Sequence, residues 1–119
     1  MRIIITGSRD MAANAVGIDI VTVAIRREAG PGPHVIVHGA ARGADMCAEW
    51  AAVINEWQSE PHPADWKRFG KKAGPIRNQN MADRGADLCI AFPDSNSVGT
   101  LDMVRRAKAA GIRTLVYGL

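Results

Sequence analysis

The sequence predicts an α/β domain in which a parallel sheet carries helices on both faces, and three observations predict it. Short, continuous, β-branched runs recur along the chain, the pattern of strands buried on both sides. Apolar residues at helical spacing fill the stretches between those runs, and such alternation implies parallel pairing through right-handed crossovers. A length of 119 residues suits one domain, 1–119, that buries its own core without a staple.

The elements follow in order. Arg2 to Thr6 forms the first strand, closed by Gly7. Val16, Ile20, Val23 and Arg27, together with Ile18, Val21 and Ile25, are spaced for one helix, which Gly30 to Pro33 ends. Val35 to His38 is the second strand, closed by Gly39, and Ala44, Cys47, Ala48, Ala51 and Ile54 give the next helix an Ala-rich face that lies tight on a sheet. Residues 57–62 read as a short third strand. Pro75 suits the first turn of a helix running to about Arg84. Leu88 to Phe92 is a strand closed by Pro93. Met103, Val104, Ala107 and Ala110 mark a helix stopped by Gly111, and Thr114 to Tyr117 is the last strand. The sum is a single Rossmann-like domain of about five parallel strands.

Composition narrows the function classes. Apolar residues make up 47% but aromatics only 5%, so the core must be Ile, Val, Leu, Ala and Met. A net charge of +3 is too mild for non-specific nucleic-acid binding, and no basic stripe is interleaved with aromatics, so nucleic acid is disfavoured as a partner. An anionic small molecule fits that charge. Lys67, Arg68, Lys71, Lys72 and Arg77 cluster, either as a solvated face or around a ligand. Cys47 and Cys89 lack metal-ligand spacing and lie in apolar stretches, as reduced packing residues do. His34, His38 and His62 share no spacing either, so no metal and no cofactor are expected. The chain opens on a strand pattern without a signal peptide, and no apolar run approaches the roughly 18 residues of a spanning helix. The expectation is a cytoplasmic protein with no membrane contact.

In open parallel sheets, ligands sit at the carboxyl ends of the strands, near the switch in strand order. Four segments reach that edge. In Gly7-Ser8-Arg9-Asp10 the glycine permits a tight turn, Ser8 offers a hydroxyl, and Arg9 pairs with a phosphate or with Asp10. In His38-Gly39-Ala40-Ala41-Arg42-Gly43-Ala44-Asp45, Gly39 and Gly43 either admit a ligand to the backbone at a helix start or serve close strand–helix packing. The segment is neither a dinucleotide fingerprint nor a P-loop. Pro63-Ala64-Asp65-Trp66 begins a long basic loop that runs to Ala73-Gly74-Pro75-Ile76-Arg77-Asn78. There Trp66 either stacks on a base or pins the loop, and Arg77 lies near a helix start. In Phe92-Pro93-Asp94-Ser95-Asn96-Ser97-Val98-Gly99-Thr100-Leu101-Asp102, Gly99 and Thr100 offer N–H and hydroxyl groups to a phosphate. Asp102 is placed in the first helical turn, with Ser97 as the competing simple cap.

These segments, in this order and together with Ala91-Phe92-Pro93, resemble the YspA/YpsA-like branch of the SLOG superfamily, many of whose members are small bacterial or phage proteins. The resemblance spans nearly the whole chain. It implies a Rossmann-like fold and kinship with the LOG phosphoribohydrolases, which cleave nucleoside 5′-monophosphates, with the DNA-processing protein DprA and with presumed nucleotide sensors. LOG enzymes carry an Arg on the helix before strand four and a Pro-Gly-Gly-x-Gly-Thr-x-Glu loop after it. Arg77 resembles the former. Gly99-Thr100-Leu101-Asp102 resembles the end of the latter, with Asp in place of Glu and a longer loop lacking the paired glycines.

The resemblance implies a nucleotide-like ligand and a homo-oligomer, dimer or larger. The candidate ligand-binding residues are Gly7, Ser8, Arg9, Gly39, Arg42, Gly43, Trp66, Asn78, Gly99 and Thr100, and the candidate catalytic pair is Arg77 and Asp102. Three readings follow: a nucleotide-binding sensor or regulatory module, an N-glycosidase in which Asp102 stabilises an oxocarbenium-like state, or a protein-interaction module that keeps only the fold.

Overall fold

A computed structural model describes residues 1–118. Five strands, β1 (Arg2–Gly7), β2 (Val35–His38), β3 (Gln58–Pro61), β4 (Leu88–Phe92) and β5 (Arg113–Val116), pair in parallel in the order β3-β2-β1-β4-β5. Helices α1 (Ala15–Ala29) and α2 (Ala44–Ile54) cover one face, and α4 (Ala73–Arg84) and α5 (Val98–Ala109) the other. The expected Rossmann-like architecture is present, including the short third strand.

Period-two alternation decides which face each side chain joins. Ile3, Ile5, Ile36, Leu88, Ile90 and Phe92 pack under α1 and α2, where Ala44, Ala48, Ala51 and Ala52 let α2 approach closely. Ile4, Val37 and Cys89 pack against Met81, Ala82, Met103 and Ala107 of α4 and α5. Both thiols are buried and free, and burial alone pushes Cys89 up to about 12, so it packs rather than reacts. Among the described residues, no helix is long and apolar enough to cross a membrane.

Two local readings change. The basic stretch after Pro63 is not a plain loop. Trp66–Phe69 forms a short helix, α3, with the Asp65 carboxylate accepting from the Arg68 N–H, and a 3₁₀ turn, Gly70–Lys72, runs into α4. Lys67, Arg68, Lys71 and Lys72 all lie on its exposed side, so this part of the basic cluster is a solvated face. Asp102 is the fifth residue of α5 rather than a first-turn residue, because the helix begins at Val98, ahead of the apolar stripe that marks it in the sequence.

One ion-pair network crosses the sheet. Arg2 at the start of β1 donates twice to Glu60 of β3, at 2.8 and 3.1 Å, and His62 contacts the same carboxylate at 2.7 Å. The Arg2 hydrogen bonds lower Glu60 from 4.5 to about 2, with His62 adding to the effect. A depressed carboxyl stabilises the fold above its unfolded value, and that contribution disappears as pH falls from about 4.5 to about 2. Urea titrations across that window should show a loss on the order of 1–2 kcal/mol, allowing for solvent screening, that Glu60→Gln removes from the pH profile. An unchanged profile in Glu60→Gln would refute the assignment.

Candidate functional site

The chain reverses its winding between β1 and β4, and a cleft opens there at the carboxyl ends of the strands. Its cavity of about 380 Å³ is floored by the β1–α1 turn, flanked on one side by the β2–α2 loop and on the other by the β4–α5 loop. A second cavity of about 460 Å³ continues past the β2–α2 loop toward Trp66. Arg9, Gly39, Ala41, Arg42 and Arg77 line both, so the two meet at three arginines.

The β2–α2 loop is held from three sides. Buried His38 accepts the Ala40 N–H at Nδ1, 3.0 Å away, which leaves Nε2 to donate to Glu49 at 2.8 Å. Asp45, buried in the first turn of α2, reaches back to accept the N–H groups of Gly39 and Ala41 at 3.1 and 3.2 Å. Burial pushes the Asp45 carboxyl up, although those N–H groups and the nearby Arg77 pull it down. From the other face, Arg77 on α4 donates to the Gly39 carbonyl and to Asn78 Oδ1, with His62 O at 3.5 Å. Ala40 stands at φ +56 and Gly43 at φ +78, a left-handed excursion that turns the loop into the helix.

The glycines divide by cause. A Cβ on Gly7 would lie 2.6 Å from the Ala44 Cβ and 2.8 Å from the Phe92 carbonyl oxygen, so packing demands glycine there. A Cβ on Gly39 would stand 2.6 Å from the Arg77 guanidinium carbon, and one on Gly43 would meet the Ser8 carbonyl and the Arg9 backbone. At Gly99 a Cβ would meet nothing within 4 Å. Only there does the free protein leave room beside the backbone.

Arg77 is the distinctive charge. Its guanidinium is bound by carbonyl and amide oxygens, and among the described residues no carboxylate stands within ion-pair distance of it. Burial pulls its pKa down, a sign of desolvation only partly offset by Asp45. Arg42 lies 3.9 Å from Asp10, the partner that could equally have been taken by Arg9. Arg9 instead sits over the half-exposed Trp66 ring, 5.7 Å from its centroid.

On the far side, Asp94 organises the β4–α5 loop. Its Oδ1 accepts the Asn96 N–H and the Ser97 hydroxyl, each at 2.8 Å, and its Oδ2 accepts the Ser8 hydroxyl. These three donors, Ser8 first, hold the carboxyl below the usual carboxylate range. Ser97 is therefore spent on Asp94 and makes no side-chain cap to α5. Thr100 and Gly99 line the cleft at the start of that helix.

Asp102 lies one step behind the cleft wall. Asn78, which lines the cavity, donates to it at 3.0 Å, and Arg105 and Arg106 do so at 3.0 and 2.8 Å. Burial pushes this carboxyl up, but the donors outweigh it and hold it below the usual range. The structure thus brings Gly7, Ser8, Arg9, Gly39, Arg42, Arg77, Asn78, Gly99 and Thr100 around one cavity and Trp66 into the adjoining one. Gly43 shapes the loop from beneath, and Asp102 is not among the lining residues. Sequence reasoning assigned no role to Asp45. An acid two residues after the second glycine of a strand–helix turn was its only signal. The binding role of Asp94 had none, because its partner Ser8 is distant in the chain.

A family model described as the YspA, cpYpsA-related SLOG family matches residues 1–69. The chain is 42% identical over 122 residues to the Gene 61 protein of Mycobacterium phage D29, a match that covers 98% of this chain and 96% of that protein. Among solved structures it is similar in fold to DNA processing protein A (DprA) from Streptococcus pneumoniae, with a TM-score of 0.76 and 23% identity, covering 99% of this chain. It spans about half of that structure, 50% of its chain. With the matched segment carrying β1, β2, β3 and the loops that build the arginine side of the cleft, the chain belongs to the YspA, cpYpsA-related SLOG family.

Proposed function

We propose that this protein binds a phosphorylated nucleotide or nucleotide derivative in the cleft between the β2–α2 and β4–α5 loops, as a sensor or regulatory module. The observation that carries the reading is Arg77, a desolvated guanidinium at the cleft surface with oxygen dipoles but no carboxylate to neutralise it. Such a charge favours an anion, and Arg9 and Arg42 add to the same field. Trp66 in the adjoining cavity offers a ring face for a base, in exchange for its contact with Arg9.

The hydrolytic alternative needs a carboxylate at the surface facing the departing base. Asp102 stands behind Asn78 with three donors on it, which favours binding without turnover. The testing experiment is isothermal titration with AMP, GMP, CMP, UMP and NAD, alongside chromatography for released base. Saturable binding without base release is the expected result. Base release that vanishes in Asp102→Ala would replace the sensor reading by a phosphoribohydrolase, and no binding of any compound in the panel would remove the nucleotide reading.

A further inference from the structure

Resting on that nucleotide reading, we infer that the cleft fixes the direction of its ligand: the phosphate lies among Arg9, Arg42 and Arg77, and Asp94 on the β4–α5 loop accepts a hydroxyl of the ribose.

The donors and acceptors around Asp94 support this orientation. A phosphate needs donors, and the hydroxyl donors on this side are committed. Ser8 gives its proton to Asp94 Oδ2 and its lone pair to the Asp10 N–H, 3.0 Å away. Ser97 gives its proton to Asp94 Oδ1 and accepts the Asp94 N–H at 2.8 Å. The Asn96 N–H is committed to Oδ1 as well. What remains on this side of the cavity is acceptor capacity. Each carboxylate oxygen has about two acceptor positions. Oδ1 fills both with Asn96 and Ser97, whereas Oδ2 holds only Ser8. A ligand hydroxyl completes Oδ2, while a ligand phosphate meets a like charge there.

At the opposite side the balance is reversed. Three guanidinium groups surround the junction of the two cavities, and the carboxylates near them are already engaged: Asp45 by two backbone N–H groups, and Asp10 by Arg42. The cleft therefore runs from cationic at the β2–α2 loop to anionic at the β4–α5 loop. The free backbone at Gly99 and Thr100, with open space beside Gly99, receives the sugar under this assignment rather than the phosphate. Asp94 is then a specificity-determining residue that selects ribose over deoxyribose.

The test is titration of the wild-type protein, Asp94→Asn and Arg42→Gln with AMP, 2′-deoxy-AMP, 3′-deoxy-AMP and inorganic phosphate. Circular dichroism melting checks that each variant is folded. The wild type should bind AMP at least about tenfold more tightly than one of the two deoxy forms, the discrimination expected when a buried acceptor loses its hydroxyl. Asp94→Asn should bring AMP and that deoxy form within about threefold of each other, and Arg42→Gln should weaken all three nucleotides while keeping their ratio. Tighter binding of inorganic phosphate or of every nucleotide by Asp94→Asn would overturn the orientation, since Asp94 would then be repelling an anion beside it. Equal binding of all three nucleotides by the wild type would likewise overturn it and leave the nucleotide reading intact. Failure of the wild type to bind any nucleotide would overturn both.

Discussion

Gly43→Ala should destabilise the protein by roughly 3 kcal/mol, seen as a drop of about 10–15 °C in the melting midpoint. Two costs combine at this position. The backbone stands at φ +78, where an L side chain is strained by about 1–2 kcal/mol. The new Cβ would also press on the Ser8 carbonyl and the Arg9 backbone, neither of which is a flexible side-chain end. Ser8 cannot retreat freely, because its N–H is bonded to Phe92 O and its carbonyl accepts the Ala44 N–H. Gly99→Ala is the matched control: it sits in a helix with open space beside it and should leave stability unchanged or raise it by up to about 1 kcal/mol. Thermal melts of both variants decide the point. Equal effects from the two substitutions would mean that backbone conformation and close approach do not account for Gly43.

Arg77→Met should remove most nucleotide affinity while leaving the fold standing. A charge-assisted hydrogen bond to an anion is worth about 1.5–3 kcal/mol, so titration should show a loss on the order of 10- to 100-fold. The effect on folding is smaller because two terms oppose. Gly39 O loses a donor, but a desolvated guanidinium without a carboxylate partner is replaced by a side chain that tolerates burial. Urea denaturation should place the variant within about 2 kcal/mol of the wild type. Unchanged AMP affinity in a folded Arg77→Met would show that the anion lies elsewhere. Comparable losses of affinity and of more than about 4 kcal/mol of stability would recast Arg77 as a strut of the β2–α2 loop.

The strands were legible because each is a run of apolar residues ended by a turn residue, and because burial on both faces leaves little choice of side chain. Even β3, Gln-Ser-Glu-Pro with a largely exposed pattern, was found from its place in the strand–helix alternation rather than from its composition. The stretch after Pro63 was harder. Its basic residues look like a loop, but one cap from Asp65 and a continuous run into α4 make it helical.

At the site, the sequence by itself determined the residue types and the edge of the sheet to which they belong. Strand–turn–helix units put Gly7, Gly39 and the Gly99-Thr100 pair at the carboxyl edge in any fold of this class, and it showed Arg77 near a helix start. Pairings between residues distant in the chain were decided only in three dimensions. Arg9 goes to Trp66 and Arg42 to Asp10, Ser8 is spent on a carboxylate 86 positions away, and Asp102 is drawn behind Asn78 by two arginines of its own helix. The physical reason is that periodicity and turn chemistry act over a few residues, whereas a side chain's charge partner is fixed by which loops the strand order brings together. The sequence supplies the charges, and the packing of β2, β1 and β4 side by side gives the cleft its direction.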